Sequence, residues 1–443
     1  ATITLGTTTN ALGGTVAFTT AGTAGNVVID NGTTGLDLAA STINGTLTAT
    51  GGATAGIVDS GNVAVAGNVT LTTDAGNGVI NMGTLQQSAG DLILVTNGNG
   101  AATVVNNAAI DFGTSNVGGA LDVTASAGTI TQNGGALTVA GTSAFTTSTN
   151  DQAITLSNTT NALTGAVAFT TGGTTGNVVI DNGTTGLDLA ASTISGTLTA
   201  TGGASAGIVD SGNVAVAGNV TLTTDAGNGV INMGTLQQSA GDLILVTNGT
   251  GAATVVNNAG IDFGTSNVGG ALSATASAGN ITQNGGAITV AGTSSFILGA
   301  NSANVVLDHA SNAFSGAVTL LAGAGGSQAF GNVTFVDDSA VKIDANADAA
   351  GDLYLNAGTD GAVGGNLAVT ATTGNITQGV AVAVTGTSAF TTSASDATIT
   401  LGTTTNALGG TVAFTTAGTA GNVVIDNGTT GLDLAASTIN GTL

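Results

Sequence analysis

The sequence predicts an all-β fold, a parallel β-helix (β-solenoid) with rungs of about 20 residues and no helices of note. Three observations predict it. The chain repeats itself, its short apolar-polar-apolar stretches are separated by turn residues, and Glu, Lys and Arg, the usual residues of helix surfaces, are nearly absent. We expect a single continuous β-solenoid over residues 1–443.

The repeat is the strongest of these signals. Residues 1–47 return without a change as residues 397–443, and residues 154–198 are a near copy of residues 3–47. The seven differences in the near copy exchange Gly, Ala, Ser, Thr or Asn among themselves, while every large apolar position is kept. A structural repeat whose core is fixed and whose surface is free changes in this way.

The register of the repeats divides the chain into four segments. They are residues 3–153, 154–304, a short acidic segment 305–398, and 399–443, which starts the next copy. Proteins built of stacked units usually lose whole units, so we expect the short segment to lack complete rungs.

Inside a segment the pattern is alternation between apolar and polar residues. Val167-Ala168-Phe169 and Val220-Thr221-Leu222 are examples, and Gly, Asn, Asp, Ser and Thr separate such stretches. The centres of these strands recur about every 19 to 23 residues, which is typical of a three-sided coil of roughly 22 rungs. The absence of proline agrees with this fold, because proline cannot donate a hydrogen bond within a sheet.

Composition excludes several classes of function. The net charge is −23, and Lys342 is the only basic residue apart from one histidine, so nucleic acid and anionic membrane surfaces are not expected partners. No run of apolar residues is long enough to insert into a membrane. The sequence has no initiator Met and no signal peptide, so we expect a window of a longer, exported chain.

Three stretches carry a family resemblance. They are GGALDVTASAGTITQNGGALTVAGTSAFTT (residues 118–147), its copy from Gly269, and GGNLAVTATTGNITQGVAVAVTGTSAFTT (residues 364–392). They resemble the β-strand repeats of giant bacterial surface exoproteins of the filamentous-haemagglutinin type. The resemblance implies a right-handed β-helix shaft, export across the outer membrane, and a role in adhesion, aggregation or biofilm. It transfers no functional residue.

Catalytic chemistry has little support in the sequence, and we do not expect an enzyme. His309 is the single histidine, without a second His or a Cys to complete a metal set. Asp337 and Asp338 are adjacent, and neighbouring residues of a strand point to opposite faces. No catalytic or cofactor-binding residue is assigned.

One stretch of the acidic segment is a weak candidate for calcium. DANADAAGD has the D-x-N-x-D start of oxygen-ligand calcium loops. It lacks the glycine expected at the sixth position, where Ala349 stands, and the carboxylate expected at the twelfth, where Leu355 stands. A solvated turn is the alternative interpretation. The candidate ligands are Asp344, Asn346, Asp348 and Asp352.

The sequence therefore predicts a non-catalytic structural protein, a repeat shaft of a secreted bacterial surface fibre, sheath or filament. An adhesin that binds carbohydrate or a host surface through the shaft is the alternative. An ice-binding solenoid is a remote alternative, suggested by the Thr-rich residues 46–50 and 69–73. The expected location is the cell surface, with end-to-end or lateral self-association and with divalent cations or glycans as candidate ligands.

Overall fold

A computed structural model describes residues 1–52, 55–74, 76–203, 206–225, 227–323, 328–358 and 361–443. It divides into two compact units, Ala1–Gly218 (unit 1) and Asn219–Leu443 (unit 2). Both consist of parallel strands stacked into a β-solenoid, so the predicted fold class is confirmed. The described ranges contain no helix long and apolar enough to span a membrane. The single continuous solenoid and its right-handed sense stay predictions.

The turns are fewer and longer than predicted. The sequence suggested roughly 22 rungs of about 20 residues, whereas the two units together comprise about 19 turns of roughly 22 residues. The longest turns explain part of the difference. In unit 2, Val305 pairs with Val333 and Val333 with Leu367, so these two turns span 28 and 34 residues.

Unit 1 has strands in two sheets, and the chain alternates between them as it winds. In the first sheet the strands are Ile3–Leu5, Val27–Asp30, Leu47–Gly51, Val69–Thr73, Asp91–Val95, Ile110–Phe112, Ser115–Val117, Ile130–Thr131, Leu137–Val139, Ile154–Leu156, Ala162–Leu163, Val178–Asp181 and Leu198–Gly202. In the second sheet they are Thr15–Val16, Leu36–Leu38, Ser41–Ile43, Ile57–Asp59, Val63–Val65, Ile80–Gln87, Ala102–Asn106, Leu121–Ala125, Ser143–Asn150, Val167–Gly172, Leu187–Leu189, Ser192–Ile194, Ile208–Asp210 and Val214–Val216.

Unit 2 has strands in three sheets. In its first sheet they are Val220–Thr224, Leu243–Val246, Ile261–Phe263, Ser266–Val268, Ile281–Gln283, Ile288–Val290, Val305–Leu307, Ala313–Phe314, Val333–Asp337, Leu367–Ala371, Ser388–Ser395, Thr411–Ala417 and Asp433–Leu434. In its second sheet they are Ile231–Gln238, Ala253–Asn257, Leu272–Ala276, Ser294–Leu298, Val318–Ala322, Val341–Asp344, Asp352–Asn356, Ile376–Gln378, Ile399–Leu401 and Val423–Ile425. The third sheet holds Ala362–Val363, Ala383–Val384 and Ala407–Leu408.

The core is formed by alternate residues of each strand. In Val27–Asp30 the two buried residues are Val27 and Ile29, which are 0% and 1% exposed. Parallel, in-register pairing places Val27 on Leu47 and Leu47 on Val69, so inward side chains form a continuous apolar file. Burial of each such side chain contributes about 1.5–3 kcal/mol.

Phenylalanine rings extend these contacts between turns. In unit 1, Phe145 and Phe169 stack with their ring centroids 5.9 Å apart, and in unit 2 Phe314 and Phe335 stack at 5.5 Å. Each pair contributes about 0.5–1.5 kcal/mol beyond the area that it buries. The large apolar residues that are the same in both copies are therefore those whose side chains pack in the core.

Buried asparagines close the hydrogen-bond ladder at the corners. Asn182 is fully buried and accepts a hydrogen bond from the Leu163 N–H at 2.8 Å. Its Nδ2 donates to the Leu163 carbonyl at 3.0 Å and to the Gly186 carbonyl at 2.8 Å. The side-chain amide thus makes the bonds that the backbone of a neighbouring strand would make. The same two bonds, each to the residue 19 positions earlier, are made by Asn31, Asn106, Asn257 and Asn427.

The corner at Asn182 requires the glycine that follows it. Gly183 has a φ of +57°, and a Cβ on it would lie 2.6 Å from the Thr159 carbonyl oxygen. Only glycine adopts this conformation without strain in so tight a place. The Asn-Gly pairs of the sequence are therefore structural at such corners.

A second buried amide pair joins turns at another corner. Gln132 Nε2 donates to Asn161 Oδ1 at 2.6 Å, and Asn161 Nδ2 donates back to Gln132 Oε1 at 3.0 Å. The same reciprocal pair joins Gln283 to Asn312 and Gln378 to Asn406. Because every amide atom finds a partner, these polar groups are buried without an unmet hydrogen bond.

The short segment departs from this regular stack. Asp352–Asn356 pairs on one side with Val318–Ala322 and on the other with Val341–Asp344, although Val341–Asp344 comes earlier in the chain. An out-of-order strand therefore lies inside the second sheet of unit 2. The shortening of this segment is not a clean loss of whole rungs, because the turns that remain are rearranged.

The rearrangement shifts the repeat from one sheet to another within unit 2. Ser294–Leu298, with the sequence SSFIL, lies in the second sheet, whereas the related Ser388–Ser395, which starts SAFTT, lies in the first. Copies on either side of the short segment therefore occupy different faces of the coil.

The corner amides lead to a first prediction. Asn106→Ala removes the partner of the Gln87 N–H and carbonyl, which stay buried. We expect the free energy of local opening, measured by hydrogen exchange at the Gln87 amide, to fall by about 2–3 kcal/mol. The neighbouring Asn107 is exposed and provides the matched control. Asn107→Ala should change that free energy by less than about 0.5 kcal/mol, and equal effects of the two substitutions would contradict the corner role.

Candidate functional site

The candidate calcium loop connects the two out-of-order strands of unit 2. Val341–Asp344 and Asp352–Asn356 pair in parallel, with Lys342 opposite Asp352 and Asp344 opposite Tyr354. Residues 345–351 form the connection. The pairing brings the first and last of the four predicted ligands, Asp344 and Asp352, to neighbouring strands.

Lys342 is the centre of this group of charges. Its Nζ donates a hydrogen bond to Asp344 Oδ2 and lies 3.9 Å from Asp352 Oδ1. The hydrogen bond to Asp344 raises the pKa of Lys342, and the same bond lowers the pKa of Asp344. The lysine side chain is 46% exposed, whereas that of Asp352 is 2% exposed. The only lysine of the chain thus supplies the positive charge in this loop.

The other carboxylate oxygen of Asp352 accepts hydrogen bonds from the loop that connects the two strands. Its Oδ2 accepts from the Ala349 N–H at 2.7 Å and from the Asp348 N–H at 3.3 Å. Asp348 and Asn346 are exposed, and the charge of Asp348 acts on Lys342. Within the described ranges, no three His, Cys, Asp or Glu residues are arranged to hold a metal ion. The structure therefore brings Asp344 and Asp352 together around an ammonium group, and calcium binding stays a prediction.

His309 has a structural role in a turn. It is exposed, and its Nδ1 accepts a hydrogen bond from the Ser311 N–H at 3.1 Å. Asn158, its equivalent one segment earlier, accepts from the Thr160 N–H at 2.9 Å in the same way. The histidine thus replaces an asparagine that stabilises the turn, and this contact needs no catalytic or metal-binding role.

Asp337 and Asp338 lie on opposite sides of the chain, as the alternation predicted. Asp337 is 2% exposed and Asp338 is exposed, so they do not form an acid pair. Burial raises the pKa of Asp337. Sequence reasoning missed that Asp337 lies at a corner. The signal is the alignment of residues 333–337 with residues 178–182, which places Asp337 at the position of the buried Asn182.

The threonine array that suggested ice binding is short in unit 1. Thr48 and Thr50 pair with Thr70 and Thr72 in the next turn. The turns before and after these two carry Val, Asp or Ile at the same positions. Two rungs do not make the extended flat file that an ice-binding face requires, so this array does not favour that alternative.

Four surface grooves among the described residues lack convergent chemistry. Four grooves have volumes of about 280 to 320 Å³. One in unit 2 contains Asp262 beside Asn280 and Thr282, and one in unit 1 contains Asp188 beside Leu187 and Val209. Each of the four has at most one titratable side chain in its lining. None brings together the acid, base and nucleophile that an active site would need.

These features define the class of protein: a repeat-built β-solenoid whose distinctive polar residues join one turn to the next. The chain belongs to the family described as repeats of unknown function (DUF5649), whose model matches residues 24–95, 98–170, 175–249, 250–321 and 330–415. The matches that start at residues 24 and 98 recur 151 and 152 residues later, at residues 175 and 250. No curated protein and no solved structure matches the chain.

The calcium hypothesis gives a second prediction. If the loop binds calcium, chelation lowers the melting temperature of the full chain, because a ligand at 100 times its Kd contributes about 2.7 kcal/mol of stability. Asp344→Asn should abolish the effect of the chelator. Asp338→Asn, which changes an exposed carboxylate outside the loop, should leave it unchanged. A melting temperature of the unsubstituted chain that is the same in calcium and in chelator would rule the site out.

Proposed function

We propose that this chain is a stretch of the structural shaft of a secreted bacterial surface fibre, sheath or filament, without catalytic activity. The observation that carries the proposal is the recurrence of one corner arrangement, in which Asn31, Asn182 and Asn427 bond the backbone of an equivalent leucine in three copies. A structural shaft needs residues that recur in each repeat and join one turn to the next. A filamentous-haemagglutinin type of exoprotein is the specific class that we propose.

Rigidity is the physical basis of this role. Each turn bonds its neighbours through parallel backbone ladders, and buried amides continue the bonding at the corners. In such a stack the stability is the sum of the turns and of their interfaces, so added repeats extend the length without a new core. The copies differ by exchanges among Gly, Ala, Ser, Thr and Asn. These exchanges change the surface and leave the stacking of the turns intact.

The surface charge suits controlled association of such shafts. The net charge is −23, and the one lysine is already paired with Asp344. In unit 1, Asp91 pairs with Asp111 of the next turn, so two acidic residues lie on neighbouring strands, whose backbones are about 4.8 Å apart. Like-charged surfaces repel at low ionic strength, and salt or divalent cations reduce this repulsion. We therefore propose lateral association that depends on cations.

An adhesin that binds sugars through the shaft is the alternative function. Sugar-binding surfaces commonly use exposed aromatic rings. All 11 phenylalanines are buried, the chain has no Trp, and Tyr354 is half-buried in its strand. This distribution favours a spacer. A glycan array probed with the full chain would distinguish the two functions, because specific binding would support the adhesin.

Electron microscopy of the native material provides the third prediction. We expect filaments of constant width, about 20–30 Å for a single coil, that separate in chelator at low salt and associate when Mg²⁺ or Ca²⁺ is added. The comparison at equal ionic strength with Na⁺ alone controls for general screening. Globular particles would contradict the shaft, whereas filaments indifferent to cations would contradict only the lateral association.

Resistance to proteolysis provides the fourth prediction. Trypsin cleaves after Lys and Arg, and this chain has Lys342 alone, within a strand that is paired on both sides. We expect the unfolded chain to give two fragments, residues 1–342 and 343–443, and the native chain to stay intact for much longer under the same conditions. Lys342→Gln should remove cleavage in both states. Rapid cleavage of the native chain at Lys342 would contradict a shaft built for exposure outside a cell.

A further inference from the structure

One corner of unit 2 has a carboxylate where its equivalents have an amide. At the sequence-equivalent positions Leu12, Leu163 and Leu408 the backbone N–H donates to the side-chain oxygen of a buried asparagine. In all three, the amide Nδ2 donates back to the carbonyl of the same leucine. The fourth equivalent is Phe314, and its N–H donates to Asp337 Oδ1 at 2.9 Å.

Asp337 reproduces only half of the asparagine arrangement. Its Oδ1 also accepts from the Asp338 N–H at 2.9 Å, and its Oδ2 accepts from the Ser339 hydroxyl at 2.6 Å. An ionised carboxylate can only accept, so it cannot return a hydrogen bond to the Phe314 carbonyl. A protonated carboxyl has one O–H donor and resembles the amide of Asn182 more closely.

Among the residues that the structure describes, none that packs against Asp337 carries a positive charge. The side chain is 2% exposed. The strands that pack on it, Val305–Leu307, Ala313–Phe314 and Leu367–Ala371, have no titratable residue. Asp338, next in the chain, adds a like charge, and Asp308 and His309 are exposed on the turn before Phe314. Burial without a cation favours the neutral acid.

We propose that Asp337 makes this corner a pH-dependent opening point, which is loosest when the carboxyl is ionised and most firmly closed when it is protonated. The direction follows from linkage. Desolvation raises the pKa of Asp337 in the folded state, so ionisation costs stability above that pKa. The cost disappears as the pH falls below the pKa of the unfolded chain. The proposal concerns the corner alone and does not depend on the shaft function.

Hydrogen exchange of the full chain tests the proposal. The protection of the Phe314 amide, corrected for the intrinsic exchange rate, is measured between pH 4 and pH 8. We expect it to increase as the pH is lowered, by up to tenfold per pH unit in the range where Asp337 takes up its proton. The Leu163 amide in the same molecules is the internal control, because Asn182 does not titrate. Its protection should not depend on pH in this way.

Two reciprocal substitutions complete the test. Asp337→Asn should raise the protection of Phe314 at pH 8 and remove its pH dependence. Asn182→Asp should lower the protection of Leu163 at pH 8 and introduce the dependence there. The proposal is overturned if Phe314 and Leu163 show the same pH dependence in the unsubstituted chain, or if Asp337→Asn leaves that of Phe314 unchanged. If Asp337→Asn fails to fold, the Asn182→Asp variant and the unsubstituted chain still decide the result.

Discussion

Hydrogen bonding between successive turns is the constraint on which the rest of this structure depends. Along the strands the parallel ladder satisfies the backbone, but at corners such as the one at Leu163 the chain turns away and leaves an N–H and a carbonyl without a strand opposite. A buried asparagine supplies both partners, as Asn182 does for Leu163. An unmet buried polar group costs about 1–3 kcal/mol, so the corners decide whether a turn can stack at all.

This constraint explains the distribution of residues in the chain. Inward positions are large and apolar because they form files such as Val27, Leu47 and Val69. The corners at Asn31, Asn182 and Asn427 have Asn followed by Gly, because they need an amide and then a left-handed backbone. Outward positions need neither apolar packing nor a corner hydrogen bond. At these positions the copies exchange small residues for one another.

The short acidic segment, residues 305–398, departs from the regular stacking of turns. An out-of-order strand is inserted, Lys342 neutralises carboxylates on both strands of the new pair, and Asp337 replaces a corner asparagine. These changes are local to unit 2, and the turns that follow resume the common pattern on another sheet. A response of the chain to pH or to ions is therefore expected in this segment first.

The sequence by itself determined the fold class and the core. Alternation reports which side of a strand a residue faces, and the exact repeat identified a stack of units, so positions such as Val27 and Leu47 could be assigned inward. Only the tertiary structure decided what Asn182, Lys342 and Asp352 do. Asn182 bonds Leu163, 19 residues earlier, and Lys342 lies opposite Asp352, 10 residues later. The lengths of the intervening loops set which residues meet, and no local pattern records that register. For the same reason DANADAAGD looked like a calcium loop in the sequence, whereas in the folded chain Asp344 and Asp352 surround a lysine.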